Sequence, residues 1–119
     1  MARYEHLPIY KKAMEMSVYV EETVRYFSRY HKYGIGADLR DISRQILRLV
    51  IRANSTQHKS PVLQELVEAC EQFKVTVVLA KEIKAFQNFN SFQQAAGLAT
   101  SLCRQSEGWL GSSKKGQDH

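Results

Sequence analysis

The 119-residue sequence holds few of the residues that interrupt regular structure, with two prolines and six glycines. That scarcity excludes a collagen-like or Pro/Gly-rich disordered chain and leaves room for long uninterrupted elements. Cysteine is as rare. Cys70 and Cys103 are unclustered, and each stands at an apolar helical position, so they read as small buried hydrophobes rather than as a disulfide or a reactive thiol. Two such thiols fit a reducing compartment, and the cytoplasm is the expected location. No apolar run approaches the roughly 18 residues a membrane span requires, and the opening MARYEHLPIYKK has no continuous apolar segment of the kind a secretory signal carries. His6, His31, His58 and His119 are scattered over predicted ends, turns and the tail. No Glu is followed three residues later by His, the spacing that lets ligands one helical turn apart converge on a metal in a bundle core. There is no Cys-x-x-Cys, no glycine-rich phosphate loop and no Ser, His and Asp cluster, so neither metal nor cofactor is expected and an enzyme has no residues on which to rest. Internal repeats are absent as well.

What remains is a chain rich in helix formers, 44% apolar and 24% charged, which points to an all-α domain large enough to bury a core without staples. The formal charge of +5 admits a polyanion partner without requiring one.

The stretch from Ile35 to Asn54 shows two faces at helical spacing. Ile35, Leu39, Ile42, Ile46, Leu49, Val50 and Ala53 recur three or four residues apart and form one apolar arc, a core face. Arg40, Arg44, Arg48 and Arg52 recur every fourth residue and climb the other side as a slanting ridge. Like charges so spaced oppose one another by roughly 0.2 to 0.5 kcal/mol per adjacent pair, so the ridge calls for an anion. Carboxylates of a neighbouring helix, another subunit and a phosphate backbone all qualify. Leu47 and Ile51 fall beside the ridge rather than on the core arc, which suits a subunit contact or a broad face covered by neighbouring helices.

In chain order, Pro8 suits the first position of a helix running to about Arg29, with Ala13, Met16, Val20, Val24, Phe27 and Tyr30 facing inward and Glu21 and Arg25 pairing along its surface. Tyr30 to Gly36, YHKYGIG, reads as a turn whose glycines supply unusual backbone angles. Its tyrosines, His31 and Lys32 could stack on and neutralise a nucleic-acid strand, although a plain exposed loop accounts for them too. After a polar turn, Ser60 and Pro61 open a third helix to about Phe86, with the seam Leu63, Leu66, Cys70, Phe73, Val77, Ala80, Ile83 and Phe86. Acids in its first half and Lys74, Lys81 and Lys84 in its second match the helix dipole, and those lysines could also extend a basic surface begun by the second helix. The fourth helix spans about Phe92 to Leu110, with Gly97 marking a close crossing. Residues 1–110 thus form an up-down-up-down antiparallel four-helix bundle, and 111–119 a mobile tail.

The segments LPIYKKAMEM and YHKYGIGADLRDISRQILRLVIRANS resemble a four-helix family. The likeness lies in Leu7-Pro8 and Tyr10-Lys11, the Tyr33-Gly34-x-Gly36 turn, Leu39-Arg40, and the Arg52-Ala53-Asn54 close of the second helix. The chain resembles Avd, the accessory variability determinant of diversity-generating retroelements, and more distantly the proteins encoded in ribosomal RNA intervening sequences. Those more distant relatives tend to follow the closing Asn with an acidic-glycine turn, whereas Asn54 is followed here by Ser55-Thr56-Gln57, which favours the Avd branch. The resemblance implies a non-enzymatic homo-oligomer, a pentameric barrel. It also implies association with the retroelement reverse transcriptase and with template RNA or cDNA through a basic surface. Arg40 and Arg52 lie inside matched motifs; Arg44 and Arg48 join them by ridge geometry, and Arg25, Arg29, Lys32, Lys81 and Lys84 complete the expected surface. Two readings compete. Either the ridge meets phosphates or the acidic face of a polymerase, or it pairs with Glu65, Glu68, Glu71 or Glu82 in an oligomeric scaffold without a nucleic-acid role.

Overall fold

The protein is represented by a computed structural model describing residues 3–117, with side chains from Tyr4 to Lys115; His119 lies outside the described residues. A 3-10 turn (Arg3–His6) leads into α1 (Pro8–Val24), a five-residue α2 (Arg29–Tyr33), α3 (Ile35–Ser55), α4 (Ser60–Glu82) and α5 (Phe89–Gln117), with no strand among the described residues. Pro8 opens α1 as its fixed φ favours, and Leu7 before it is held extended at φ −74° and ψ 131°.

Cross-helix contacts set the directions. Ser17 donates to the carbonyl of Ser43 and Glu21 reaches Arg40, so later residues of α1 meet earlier residues of α3. Arg52 meets Glu65, and the Tyr19 hydroxyl donates to the carbonyl of Ser91 at the start of α5. The four long helices therefore run antiparallel, each between two neighbours: α1 and α4 both pack on α3 and α5 and sit across the diagonal. Short links of a few residues allow no other order.

The core follows the apolar periodicity. Leu39, Ile42, Ile46, Leu49, Val50 and Ala53 of α3 are buried against Ala13, Met16, Val20 and Val24 of α1 and Leu63, Leu66, Cys70, Phe73, Val77 and Ala80 of α4. α5 adds Ala95, Ala99, Leu102 and Cys103, with Ser106 buried through a hydrogen bond to the carbonyl of Cys103.

Element ends differ from the sequence expectation. α1 stops at Val24 rather than near Arg29, because Phe27 must turn inward, where it is 4% exposed and packs edge-on against Phe86. Ser28 then caps α2 by accepting from the backbone N–H of His31, and Tyr30, expected inside, is 84% exposed. Neither glycine of that turn has positive φ. Gly36 is required for closeness instead: a Cβ there would sit 2.7 Å from Val24 Cγ1 and 2.9 Å from the carbonyl oxygen of His31.

α4 ends at Glu82, and Ile83, expected in the seam, is exposed. The last turn closes with the backbone N–H of Ala85 on the carbonyl of Ala80 and that of Lys84 on Lys81, a pattern that places Lys84 in the left-handed conformation at φ 63°. Asn88 accepts from the backbone N–H of Ser91, so α5 begins at Phe89, three residues before the expected start. At its other end α5 continues past Leu110 to Gln117. Among the described residues nothing approaches Gly97 closely; a Cβ there would meet nothing within 4 Å. The expected crossing is therefore absent among the described residues.

Candidate nucleic-acid interface

The arginine ridge lies on the outside of α3, and its two ends meet different neighbours. Arg40 Nε stands 3.3 Å from Glu21 Oε2 and Arg44 Nη2 bonds Glu21 Oε1, so one carboxylate of α1 serves two guanidiniums. Arg52 Nη1 stands 3.5 Å from Glu65 Oε2 of α4, leaving Arg48 with no ion pair among the described residues. Sequence spacing pairs Glu21 with Arg25 along its own helix. Because α1 ends at Val24, Arg25 lies past the last turn and Glu21 faces the start of α3 instead. Of the four acids considered as ridge partners, only Glu65 takes that role, and Glu21 is the partner that helical periodicity alone does not single out. The signal is the antiparallel order, which sets the last turn of one helix beside the first turns of the next.

These pairs are part-exposed, and each is worth about 0 to 1 kcal/mol, the same scale as the repulsion along the ridge. The fold therefore needs no external anion to tolerate the ridge. What is left is one guanidinium, Arg48, without an ion pair among the described residues, while two carboxylates answer the other three and the exposed Asp38 and Asp41 lie on the same helix. Arg40 is also incompletely held: its buried Nε lies near Glu21 yet makes no aligned hydrogen bond.

Two shallow clefts flank the ridge. One, of about 170 Å³, is lined by Glu21, Val24, Arg25, Lys32 and Arg40, so three cations surround one acid at the junction of α1, α2 and α3. The other, about 270 Å³, lies between α3 and α4, where Arg48 and Arg52 stand with Gln45, Leu49 and Glu65. The bundle end beyond the first cleft carries exposed Arg25 and Arg29 together with Tyr26, Tyr30 and Tyr33, which are 65%, 84% and 72% exposed. Cations beside open aromatic faces can neutralise phosphates and stack bases without reading sequence. Lys84 shares this end, because Phe86 beyond it packs on Phe27.

Lys81 stands apart from the ridge. Its Nζ lies 5.4 Å from the centre of the Phe92 ring of α5 and 3.7 Å from Glu82, on the side of α4 away from α3. The charge pattern along α4 could not reveal this, since the side each lysine faces depends on which helix is packed there. Leu47 is half-buried against the core and Ile51 is half-buried as well; the strongly exposed apolar side chains lie elsewhere.

Cys70 and Cys103 are free and buried. Desolvation pushes their thiols up to about 11 and about 12, so both are neutral at physiological pH and unsuited to nucleophilic work. Among the described residues no three His, Cys, Asp or Glu side chains come together to hold a metal, and no helix is long and apolar enough to cross a membrane. No protein-family model matches the chain, and no curated protein matches it either.

Proposed function

We propose that this chain is a non-catalytic accessory protein of the Avd type, which uses the α3 ridge and the tyrosine-bearing end to hold template RNA or cDNA beside a retroelement reverse transcriptase in the cytoplasm. The role is to support mutagenic copying, with the chain acting as a homo-oligomer, a pentamer by likeness to that family. The observation that carries this reading is the row of arginines along α3, which meets Arg25 and Lys32 at the cleft beside Arg40, next to an end displaying three exposed tyrosines. Phosphate contacts supply affinity and stacking adds sequence-tolerant contact, so recognition is by charge and shape.

The Arg44→Glu, Arg48→Glu double variant tests it. Affinity for single-stranded random-sequence RNA should fall, and the slope of log affinity against log salt should flatten by about 0.7, the share of one phosphate, because Arg48 is free to meet it while Arg44 is held by Glu21. Unchanged affinity and slope refute the nucleic-acid role. Co-expression with the adjacent reading frame tests the polymerase partner, through recovery of a reverse transcriptase carrying RNA.

A second reading is favoured by the in-chain pairing of Arg40, Arg44 and Arg52. On that view the chain is an oligomeric scaffold of the intervening-sequence type, and reversing these charges shifts melting or assembly while leaving RNA untouched.

A further inference from the structure

Three cations from separate stretches of the chain converge on one small cleft. Arg25 follows the end of α1, Lys32 belongs to α2 and Arg40 to α3, and with Glu21 and Val24 they line the space of about 170 Å³ where these elements meet. Glu21 is the one acid in that lining; Asp38 and Asp41 of α3 take no part in it. Arg25 and Lys32 make no ion pair among the described residues. Glu21 is itself divided, because its Oε1 bonds Arg44 outside the cleft while Arg40 Nε lies 3.3 Å from Oε2 without an aligned hydrogen bond. The lining therefore carries a surplus of positive charge and cations with donors to spare.

We propose that this cleft takes the terminal phosphate of a nucleic-acid strand, a phosphate monoester, in preference to the bridging phosphates along the strand. The inference rests on the nucleic-acid role proposed above and names the part of the strand that this end of the bundle holds. Charge selects the monoester. Three cations and one acid match a group that carries about −1.5 to −2 at neutral pH and offers three acceptor oxygens, whereas a bridging phosphate carries a single charge. Size selects the same group. Ligand pockets for whole small molecules run from about 300 Å³ upward, and this cleft has room for only about six waters at roughly 30 Å³ each, so a phosphate enters and its nucleoside stays outside. Outside stand the exposed tyrosines: Tyr26 follows Arg25 in the chain, Tyr33 follows Lys32, and Tyr30 belongs to the same short helix. A terminal base, with a neighbour on one side only, has a free face to stack on them.

The test compares short random-sequence RNAs that differ only at their ends, with a phosphate at one end, a phosphate at the other, or hydroxyls at both. By anisotropy at low salt, one phosphorylated form should bind the wild type roughly three- to tenfold more tightly than the hydroxyl-ended form, the scale of one or two part-exposed charge contacts. The Arg25→Gln, Lys32→Gln double variant should bring that ratio close to one. Neither side chain makes an ion pair among the described residues, so the helices keep their packing. Arg48→Gln, on the ridge but outside the cleft, should weaken all three RNAs alike and preserve the ratio. Equal affinity of the wild type for all three RNAs overturns the inference, as does a ratio that survives in the double variant. Inorganic phosphate supplies the same charge without a strand; if it competes as well as the phosphorylated RNA, the cleft belongs to the free ion and the strand-end assignment is overturned. A phosphoserine peptide that competes better than that RNA overturns it in favour of a protein partner. Hydroxyl-ended RNA reports the ridge by itself, so a ratio of one with arginine-dependent binding intact refutes this site alone, and loss of that binding refutes the proposed function.

Discussion

Replacing Glu21 by glutamine separates stability from binding, because this one carboxylate holds Arg40 and Arg44 while lying on the same face as the proposed phosphate contacts. The change keeps size and hydrogen-bonding capacity and removes the charge. Two part-exposed ion pairs of about 0 to 1 kcal/mol each disappear, and repulsion between the two arginines goes unanswered at a few tenths, so stability should fall by a few tenths to about 2 kcal/mol. Thermal unfolding reads that loss as a drop of up to several degrees. RNA binding should move the other way. Each guanidinium freed to meet a phosphate of a single strand steepens the salt slope by about 0.7, so two add about 1.4; the gain over wild type at 50 mM salt should shrink roughly sevenfold by 200 mM. Anisotropy of a labelled random-sequence RNA across a salt series measures both affinity and slope. A lower melting temperature with an unchanged slope refutes the link between these arginines and phosphate, and leaves Glu21 a purely structural residue. No change in either measurement means that the ion pairs do not form in solution.

Gly36→Ala should destabilise the fold by about 1 to 3 kcal/mol, since the new methyl meets Val24 and the His31 carbonyl oxygen closer than real Cβ contacts come; chemical denaturation checks it, and an unchanged midpoint refutes the packing described. Lys84→Gly should stabilise by about 0.5 to 1 kcal/mol, because Lys84 occupies the left-handed position that ends α4 and glycine reaches it without steric cost. The same variant should weaken RNA binding only slightly, as Lys84 stands on the rim of the cationic end; a large loss of affinity would place it at the centre.

Periodicity alone determined the four long helices and most of their buried faces. Leu39 through Ala53 and Leu63 through Ala80 sit inside as their spacing dictates, since an apolar arc repeating at 3.6 residues has one favourable environment. Pro8 and the polar stretch before Ser60 placed two helix starts for equally local reasons. Helix ends were less legible. Phe27, Ile83 and the start of α5 depend on aromatic packing at one end of the bundle and on a left-handed Lys84, neither of which a repeat pattern contains.

The chemistry of the ridge was decided by tertiary structure. Sequence spacing shows that four arginines share a face of α3, but an ion pair between Glu21 and Arg44 joins groups 23 positions apart and exists only because α1 and α3 pack side by side. The same holds for the apolar arc of Val75, Val78, Leu79 and Ile83. Whether such an arc is core or surface depends on which sides of α4 its two neighbours cover, and that is a property of the assembled bundle, not of the helix.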